Sequence, residues 1–251
     1  MSFSVKADAY DRFMGRYSIQ LAPQLADLAE VANGQHVLDV GCGPGALTGE
    51  LVRRVGAAAV SAVDPSEPFV AAAQERHPGV DVRRASAEDL PFPDRTFDAA
   101  LAQLVVHFMA DPVVGLTEMA RVTRPDGVVA ASVWDHEGQG PLTPFWRAAR
   151  ELDPAIEGES RLPGVREGHL AELMEAAGLR DVEASAAFAQ VEHATFEEWW
   201  EPFTLGVGPA GVYTLALSAE QREALRQRCR ASLPPAPFVS TVRAWTVRGV
   251  V

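Results

Sequence analysis

Hydrophobic positions along the chain follow two alternating patterns. Short apolar runs recur between residues 17 and 133, and the segments between them place apolar side chains every three or four residues, as an amphipathic helix does. The runs are nearly continuous in Ala, Val and Leu, which is typical of strands buried on both faces of a parallel sheet. Five such strands are predicted at residues 36–40, 58–64, 80–86, 97–103 and 128–135.

The order of these elements predicts the fold class. Strands that alternate with helices favour an α/β fold, with a parallel sheet, helices on both faces and right-handed crossovers. Two later strand-like runs, at 181–192 and 238–248, are expected to complete the edge of the sheet. The sequence RPDG at 124–127 predicts the end of a helix, and the helix that contains Leu21 and Leu25 is expected to continue to Ala32.

Two long segments interrupt the alternation of strands and helices. They predict a cap that is added to a single domain of residues 1–251. We expect a body at about 30–135, with the sheet completed by about 168–192 and 238–249. A partly helical cap is expected from about 1–28, 136–165 and 193–237. The last of these contains an aromatic group on a helix capped by Thr195. It could be core packing or a lid over an apolar substrate, with residues 206–211 as a hinge; this group comprises Phe196, Trp199, Trp200 and Phe203.

The net charge of the chain argues against binding of duplex nucleic acid. The chain has 251 residues, of which 22 are Lys or Arg and 34 are Asp or Glu, and its formal charge is −12. Proteins that bind duplex nucleic acid usually present a basic surface to the phosphates. A local arginine cluster at 222–230 is interrupted by Glu220 and Glu223, so we interpret it as a solvated helix face.

The remaining composition predicts a cytoplasmic protein. No apolar run approaches the roughly 18 residues of a membrane span, and the first residues lack the apolar stretch of a signal peptide. Cys42 and Cys229 lie too far apart in sequence to suggest a disulfide framework or a metal site. No spacing typical of metal ligands is found among His36, His77, His136, His169 and His193, and no metal is expected.

The segment HVLDVGCGPGALTGEL at 36–51 carries the most chemistry. A buried strand ends in a glycine turn, where the backbone can take positive φ and a ligand can approach closely. Asp64 ends the next predicted strand, where a carboxylate can accept hydrogen bonds from both hydroxyls of a ribose. The glycine spacing is G-x-G-x-G and includes Pro44, so the match to a dinucleotide-binding turn is poor.

The stretch instead resembles motif I of class I S-adenosylmethionine-dependent methyltransferases. Asp64-Pro65 is similar to their acidic motif II, and residues 84–112 and 122–132 resemble later motifs of a small-molecule branch that includes ubiquinone and menaquinone biosynthesis methyltransferases. The segment YDRFMGRYS at 10–18 is similar to an N-terminal segment of many members. The resemblance covers about residues 8–135. It implies a Rossmann-like, seven-stranded, mostly parallel sheet, with the rest of the chain matching only in topology.

The resemblance implies a binding site for S-adenosylmethionine, with S-adenosylhomocysteine as the product. It implies that Asp64 holds the ribose, that Asp39 orients the turn or approaches the methionine ammonium, and that Gln103 offers a carbonyl to that ammonium. Family members often carry Asp at the position of Ser86, and serine accepts a hydrogen bond more weakly. The full set of expected cofactor-binding residues is Tyr10, Arg16, Asp39, Gly41, Cys42, Gly43, Asp64, Pro65, Ser86, Ala87, Glu88 and Gln103.

Three of these positions also have a purely structural interpretation, and so does His107, which lies outside this set. Tyr10 and Arg16 close over the cofactor, with Arg16 near its carboxylate, or they only pack the N-terminal segment on the body. Cys42 is a small residue in the turn rather than a nucleophile. His107, just after the fourth strand, is either a general base that takes a proton from a substrate hydroxyl or a structural histidine.

The expected function is in-line methyl transfer from a sulfonium to an O, N or C nucleophile of a small, apolar or aromatic molecule, achieved mainly by positioning. Three alternatives remain open at this point. The chain could bind the cofactor without turnover as a partner or sensor, it could methylate a protein or RNA, or it could be a nicotinamide-dependent oxidoreductase.

Overall fold

In the computed structural model, which describes residues 7–251 and side chains from residue 9 onward, seven strands form one mixed sheet. The strands are β1 (Val37–Val40), β2 (Val60–Asp64), β3 (Asp81–Arg84), β4 (Phe97–Gln103), β5 (Thr123–Trp134), β6 (Arg180–His193) and β7 (Phe238–Val250). Their order across the sheet is β3-β2-β1-β4-β5-β7-β6. Strand β7 is antiparallel to both of its neighbours, and the other described pairings are parallel. The predicted fold class is confirmed.

Helices cover both faces of this sheet. The helices are α1 (Ala7–Tyr10), α2 (Arg16–Leu28), α3 (Ala46–Val55), α4 (Glu67–Arg76), α5 (Pro112–Val122), α6 (Thr143–Leu152), α7 (His169–Ala176), α8 (Phe196–Trp200), α9 (Gly208–Ala216) and α10 (Ala219–Ser232). Leu25 of α2 and Leu51 of α3 share a buried cluster with Val37 of β1. On the other face, Leu38 is buried in a cluster with Met119 of α5. Successive residues of β1 therefore anchor opposite helical layers, as the pleat of a strand requires.

Strand β5 begins five residues earlier than the sequence suggests. Helix α5 ends at Val122, and the predicted turn at 124–127 is part of the extended strand. Thr123 pairs with Phe97 and Val128 pairs with Ala99, so the register shifts between them. The turn-forming residues are thus absorbed as a bulge, which sequence pattern alone does not distinguish from a helix stop. Helix α2 likewise ends at Leu28 rather than at Ala32.

A third buried cluster, which we call the aromatic layer, joins distant parts of the chain. Phe13 and Tyr17 near the N-terminus share it with helices α6, α8 and α10 and with strands β6 and β7. The rings of Phe145 and Phe203 stack with centroids 4.5 Å apart. The aromatic group that begins on α8 is buried in this layer, as the core-packing interpretation predicts.

Arginines of α10 are tied to neighbouring groups. Arg226 lies 2.6 Å from a carboxylate oxygen of Glu197 and also pairs with Glu223. Arg228 pairs with Glu151, and Arg222 donates to backbone carbonyls at the end of α9. The capping box of Ser218 and Gln221 opens this helix. Three of its four arginines, Arg226, Arg228 and Arg230, are therefore paired with glutamates, which agrees with a helix face rather than a nucleic-acid patch.

Over residues 7–251, no helix is both long enough and apolar enough to cross a membrane.

Replacing Phe145 with alanine is expected to lower the free energy of unfolding by about 3–5 kcal/mol, because its fully buried ring leaves a cavity beside Phe203. Denaturant unfolding followed by tryptophan fluorescence measures the change. Leu152→Ala, on the same helix but 42% exposed, is the control and should change stability by less than about 1 kcal/mol. Equal losses for the two variants would contradict the assignment of Phe145 to the core.

Candidate functional site

The main cavity opens at the carboxyl ends of β1, β2 and β4. Its volume is about 420 Å³, within the usual range for a small-molecule site. Open α/β sheets bind ligands at this edge because the loops that follow parallel strands converge there. The cavity is lined by eleven of the twelve predicted cofactor-binding residues: Tyr10, Asp39, Gly41, Cys42, Gly43, Asp64, Pro65, Ser86, Ala87, Glu88 and Gln103.

The glycine turn forms one wall and leaves room for a ligand. Gly41 has φ +71°, and its amide donates to Val63 O at 2.8 Å. A Cβ at Gly41 would overlap the side chain of Val105, and the positive φ further favours glycine there. Gly43 also has positive φ, but a Cβ on it would meet no atom within 4 Å. The backbone at Gly43 is therefore open to close approach by a ligand.

Asp64 ends β2 and fixes the turn. One carboxylate oxygen accepts from the amide of Gly43 at 2.9 Å, and the other accepts from the amide of Ser66 at 2.8 Å. Burial raises the pKa of Asp64, and these two hydrogen bonds oppose that rise. Each oxygen retains a lone pair that can accept from a ligand hydroxyl.

Asp39 has one satisfied oxygen and one that lacks a partner. Its Oδ2 accepts from Thr48 Oγ1 at 2.6 Å, whereas Oδ1 is buried with no hydrogen-bond partner. Burial raises the pKa of this carboxyl to about 7. Gln103 shows the same asymmetry, because Nε2 donates to Ser18 O and Oε1 has no partner. Two unsatisfied acceptors in one cavity call for a donor that the protein itself does not supply.

The loop that follows β3 and the loop near residue 110 complete the wall. Glu88 Oε1 accepts from the amide of Ala110 at 2.7 Å, which fixes the carboxylate at the cavity edge. Ser86 and Ala87 line the cavity beside it. Burial raises the pKa of the Cys42 thiol well above its usual range, so this residue is not a thiolate nucleophile.

The N-terminal segment brings Tyr10 to the cavity but not Arg16. Tyr10 packs edge-on against Phe69 with ring centroids 5.4 Å apart. Arg16 donates instead to the backbone carbonyl of Glu192 at 2.7 Å, beside a different and smaller pocket. Arg16 therefore does not line the main cavity, and its contacts agree with the alternative in which it only packs the N-terminal segment on the body. Phe13 and Tyr17 of the same segment are buried in the aromatic layer. Their packing directs Arg16 toward β6.

Two features of the site escape sequence reasoning. Asp11 forms an ion pair with Arg76 of α4 at 2.6 Å, and Arg76 also donates to Pro44 O. This pair fastens the N-terminal segment across the glycine turn. Leu104, directly after β4, has φ +62°, which is rare for a bulky side chain and marks strained backbone at a wall of the cavity.

A second, smaller space, which we call the inner cavity, adjoins the first. Its volume is about 40 Å³. Tyr10, Leu104 and Phe108 line both spaces, so they share a boundary. His107 lies in the inner cavity, not in the main one, and two further buried polar side chains join it there, His136 and Glu159.

His107 is 3% exposed, and its ring centroid lies 5.7 Å from that of His136. Burial lowers the pKa of His107 well below 6.5 and that of His136 to about 4, so both rings are neutral near pH 7. Burial raises the pKa of Glu159 to about 7, and its Oε2 accepts from Trp146 Nε1 at 2.8 Å. His136 and Glu159 both lie in the long connection after β5, where no motif in the sequence marks them.

Comparison with known proteins identifies the family. A family model described as a methyltransferase domain matches residues 38–131. A protein of Mycolicibacterium smegmatis named a "probable S-adenosylmethionine-dependent methyltransferase" is 31% identical over 187 residues, which cover 69% of this chain and 70% of that protein. A fatty-acid O-methyltransferase of the same organism is 40% identical over 116 residues, or 45% of this chain and 42% of that protein.

Solved structures agree in fold. The YcgJ protein of Bacillus subtilis superposes with a TM-score of 0.60 at 19% identity, covering 91% of this chain and 97% of the other. The chain spans only about half the length of the first curated relatives that it matches. The longer match to the M. smegmatis protein, however, covers more than two thirds of that relative. The resemblance seen in the sequence is confirmed, and the chain belongs to the S-adenosylmethionine-dependent methyltransferases.

Proposed function

We propose that this protein transfers a methyl group from S-adenosylmethionine to a small, apolar or aromatic molecule. The observation that carries the proposal is the polar pattern of the main cavity. It contains two buried oxygens without partners, on Asp39 and Gln103. It also contains the carboxylate of Asp64, which accepts two backbone hydrogen bonds. When bound, S-adenosylmethionine supplies a methyl group on a positively charged sulfur, which is already a good electrophile.

The residues of the cavity fit the parts of this cofactor. Asp64 would accept from the two ribose hydroxyls through its remaining lone pairs. Asp39 Oδ1 and Gln103 Oε1 would accept from the methionine ammonium, which is the donor that both oxygens lack. Pro65, Ser86, Ala87 and Glu88 lie along the wall beyond Asp64, where they would contact the adenine.

The methionine carboxylate must be held without an arginine. No Lys or Arg is present among the described residues that line the main cavity. Burial raises the pKa of Tyr10 to about 12, so its hydroxyl stays protonated and can donate a hydrogen bond. We assign this donor role to Tyr10, in place of the role first expected for Arg16.

The acceptor would approach from the inner cavity, because this space adjoins the main one through Leu104 and Phe108. His107 stays our candidate for the group that takes a proton when the acceptor must lose one, since a neutral imidazole has a free lone pair. Positioning of the two ligands by these walls would provide most of the rate enhancement.

Incubation with methyl-labelled S-adenosylmethionine and a panel of small acceptors tests turnover directly. Label is expected to appear in an apolar or aromatic acceptor and to be absent from bulk RNA and protein. Binding of the cofactor without transfer to any of these would favour the role of partner or sensor. Stronger binding of a nicotinamide dinucleotide would overturn the proposal.

Asp64→Asn is expected to weaken the binding of S-adenosylhomocysteine by about 10- to 150-fold, because charge-assisted hydrogen bonds contribute about 1.5–3 kcal/mol. Calorimetric titration measures the change. Asp81→Asn, an exposed aspartate paired with Arg83 outside the main cavity, is the control and should bind like the wild type. Unchanged affinity in Asp64→Asn would remove Asp64 from the site.

The raised pKa of Asp39 predicts that the protein releases a proton when S-adenosylhomocysteine binds. Its pKa is about 7 in the free protein, above the ordinary value of 3.8, so below pH 7 the carboxyl is mostly protonated. A ligand ammonium beside Oδ1 would favour the ionised form and expel that proton. At pH 6.5, titration with S-adenosylhomocysteine in buffers of different ionisation enthalpy should show release of more than half a proton per site.

At pH 8.5 the same carboxyl is already ionised, so the release should be close to zero. Asp39→Asn is the matched variant, and its titration at pH 6.5 should lose the release. An Asp39→Asn protein that expels as many protons as the wild type would show that another group is responsible.

A further inference from the structure

We propose that the inner cavity is an acceptor-recognition site that selects an uncharged hydroxyl group carried on an apolar, aromatic body. The side chains that make the selection are His107, His136 and Glu159. This inference rests on the proposed function, and it names the class of acceptor that this function would use.

The first argument is hydrogen bonding. His107 Nδ1 and both ring nitrogens of His136 are buried and have no partner in the protein. Both side chains are more than nine-tenths buried and line the same small space. Buried polar atoms are nearly always satisfied, so three orphaned nitrogens around one cavity indicate a missing polar group.

The second argument is the type of group that satisfies them. A neutral imidazole carries one N–H donor and one acceptor nitrogen. Two neutral rings therefore suit a group that both donates and accepts. A hydroxyl does both, whereas a carboxylate only accepts and an ammonium only donates. The volume of about 40 Å³ is sufficient for a hydroxyl or a single water, but not for an entire ring.

The third argument is charge. No Lys or Arg is among the described residues that line the inner cavity, and its one acidic member is Glu159. An anionic acceptor would be buried without a cation to pair with, which is strongly unfavourable. Glu159 is held in place by Trp146 at 2.8 Å, and in its ionised form it adds repulsion toward an anion.

The fourth argument concerns the body of the acceptor. Phe13, Phe108 and Trp134 form apolar walls of the inner cavity, and Tyr10 and Phe108 stand at its boundary with the main cavity. A ring attached to the bound hydroxyl would lie at that boundary between the two aromatic side chains. Aromatic rings stack or meet edge-on with favourable energy, so a phenol fits better than an aliphatic alcohol.

Three matched probes test the selection: 2-naphthol, 2-naphthoate and 2-naphthylmethylamine, which differ in the polar group and keep the same ring. Each is titrated by calorimetry into the full-length protein saturated with S-adenosylhomocysteine. We expect 2-naphthol to bind at least tenfold more tightly than either charged probe. Equal or tighter binding of 2-naphthoate or of the amine would overturn the proposal, as would the absence of 2-naphthol binding, which would leave a water site only.

Variants locate the effect. His136→Phe and His107→Phe should each weaken 2-naphthol binding at least tenfold and leave the affinity for S-adenosylhomocysteine within twofold. Glu159→Gln keeps an acceptor for Trp146 and removes the acid. It should therefore reduce the difference in affinity between 2-naphthol and 2-naphthoate. Unchanged 2-naphthol affinity in both histidine variants would contradict the assignment.

His193→Phe is the matched control. Its ring nitrogens are also buried without partners, but it packs on Phe238 outside the inner cavity. It should bind 2-naphthol like the wild type. Failure of S-adenosylhomocysteine to bind would count against the proposed function itself. Binding of that ligand without selection among the three probes would count against this inference alone.

Discussion

The carboxylate of Asp64 holds two backbone segments of the site in register. It accepts from the amide of Gly43 in the turn after β1 and from the amide of Ser66 at the start of α4. A second carboxylate, that of Asp39, accepts from Thr48 in α3 and so links β1 to the helix that follows it. The acids that we propose to bind the ligand therefore also build the cavity, and the ligand meets a site that is already formed.

Charge gives this cavity a preference of its own. Two buried carboxyls face it, and no Lys or Arg among the described lining residues balances them. Burial raises both of their pKa values, because it disfavours the ionised form of each carboxyl in the free protein. A ligand with a positive group relieves that condition, whereas a pyrophosphate would make it worse. The electrostatics thus agree with the glycine spacing in disfavouring a dinucleotide.

The turn at 41–45 and the acids near the ends of β1 and β2 could be predicted from short contiguous motifs that resemble those of the family, and the structure brings them to the wall of one cavity. The direction of Arg16 could not be predicted, because it depends on the packing of Phe13 and Tyr17 against segments more than a hundred residues away. His136 and Glu159 could not be found, because the connection after β5 has no periodic pattern that predicts which side chains become buried together. The early start of β5 was missed for a related reason, since its bulge depends on pairing with β4.

Tyr10 gives the two cavities a common wall. It lines both, and the segment that carries it is fastened by the ion pair of Asp11 with Arg76. A ligand that shifts or steadies this ring in one cavity changes the shape of the other. The two binding equilibria are then linked, and linkage is reciprocal: whatever factor one ligand contributes to the affinity of the second, the second contributes to the first. The affinity of each cavity for its ligand is consequently a property of the N-terminal segment as well as of the sheet.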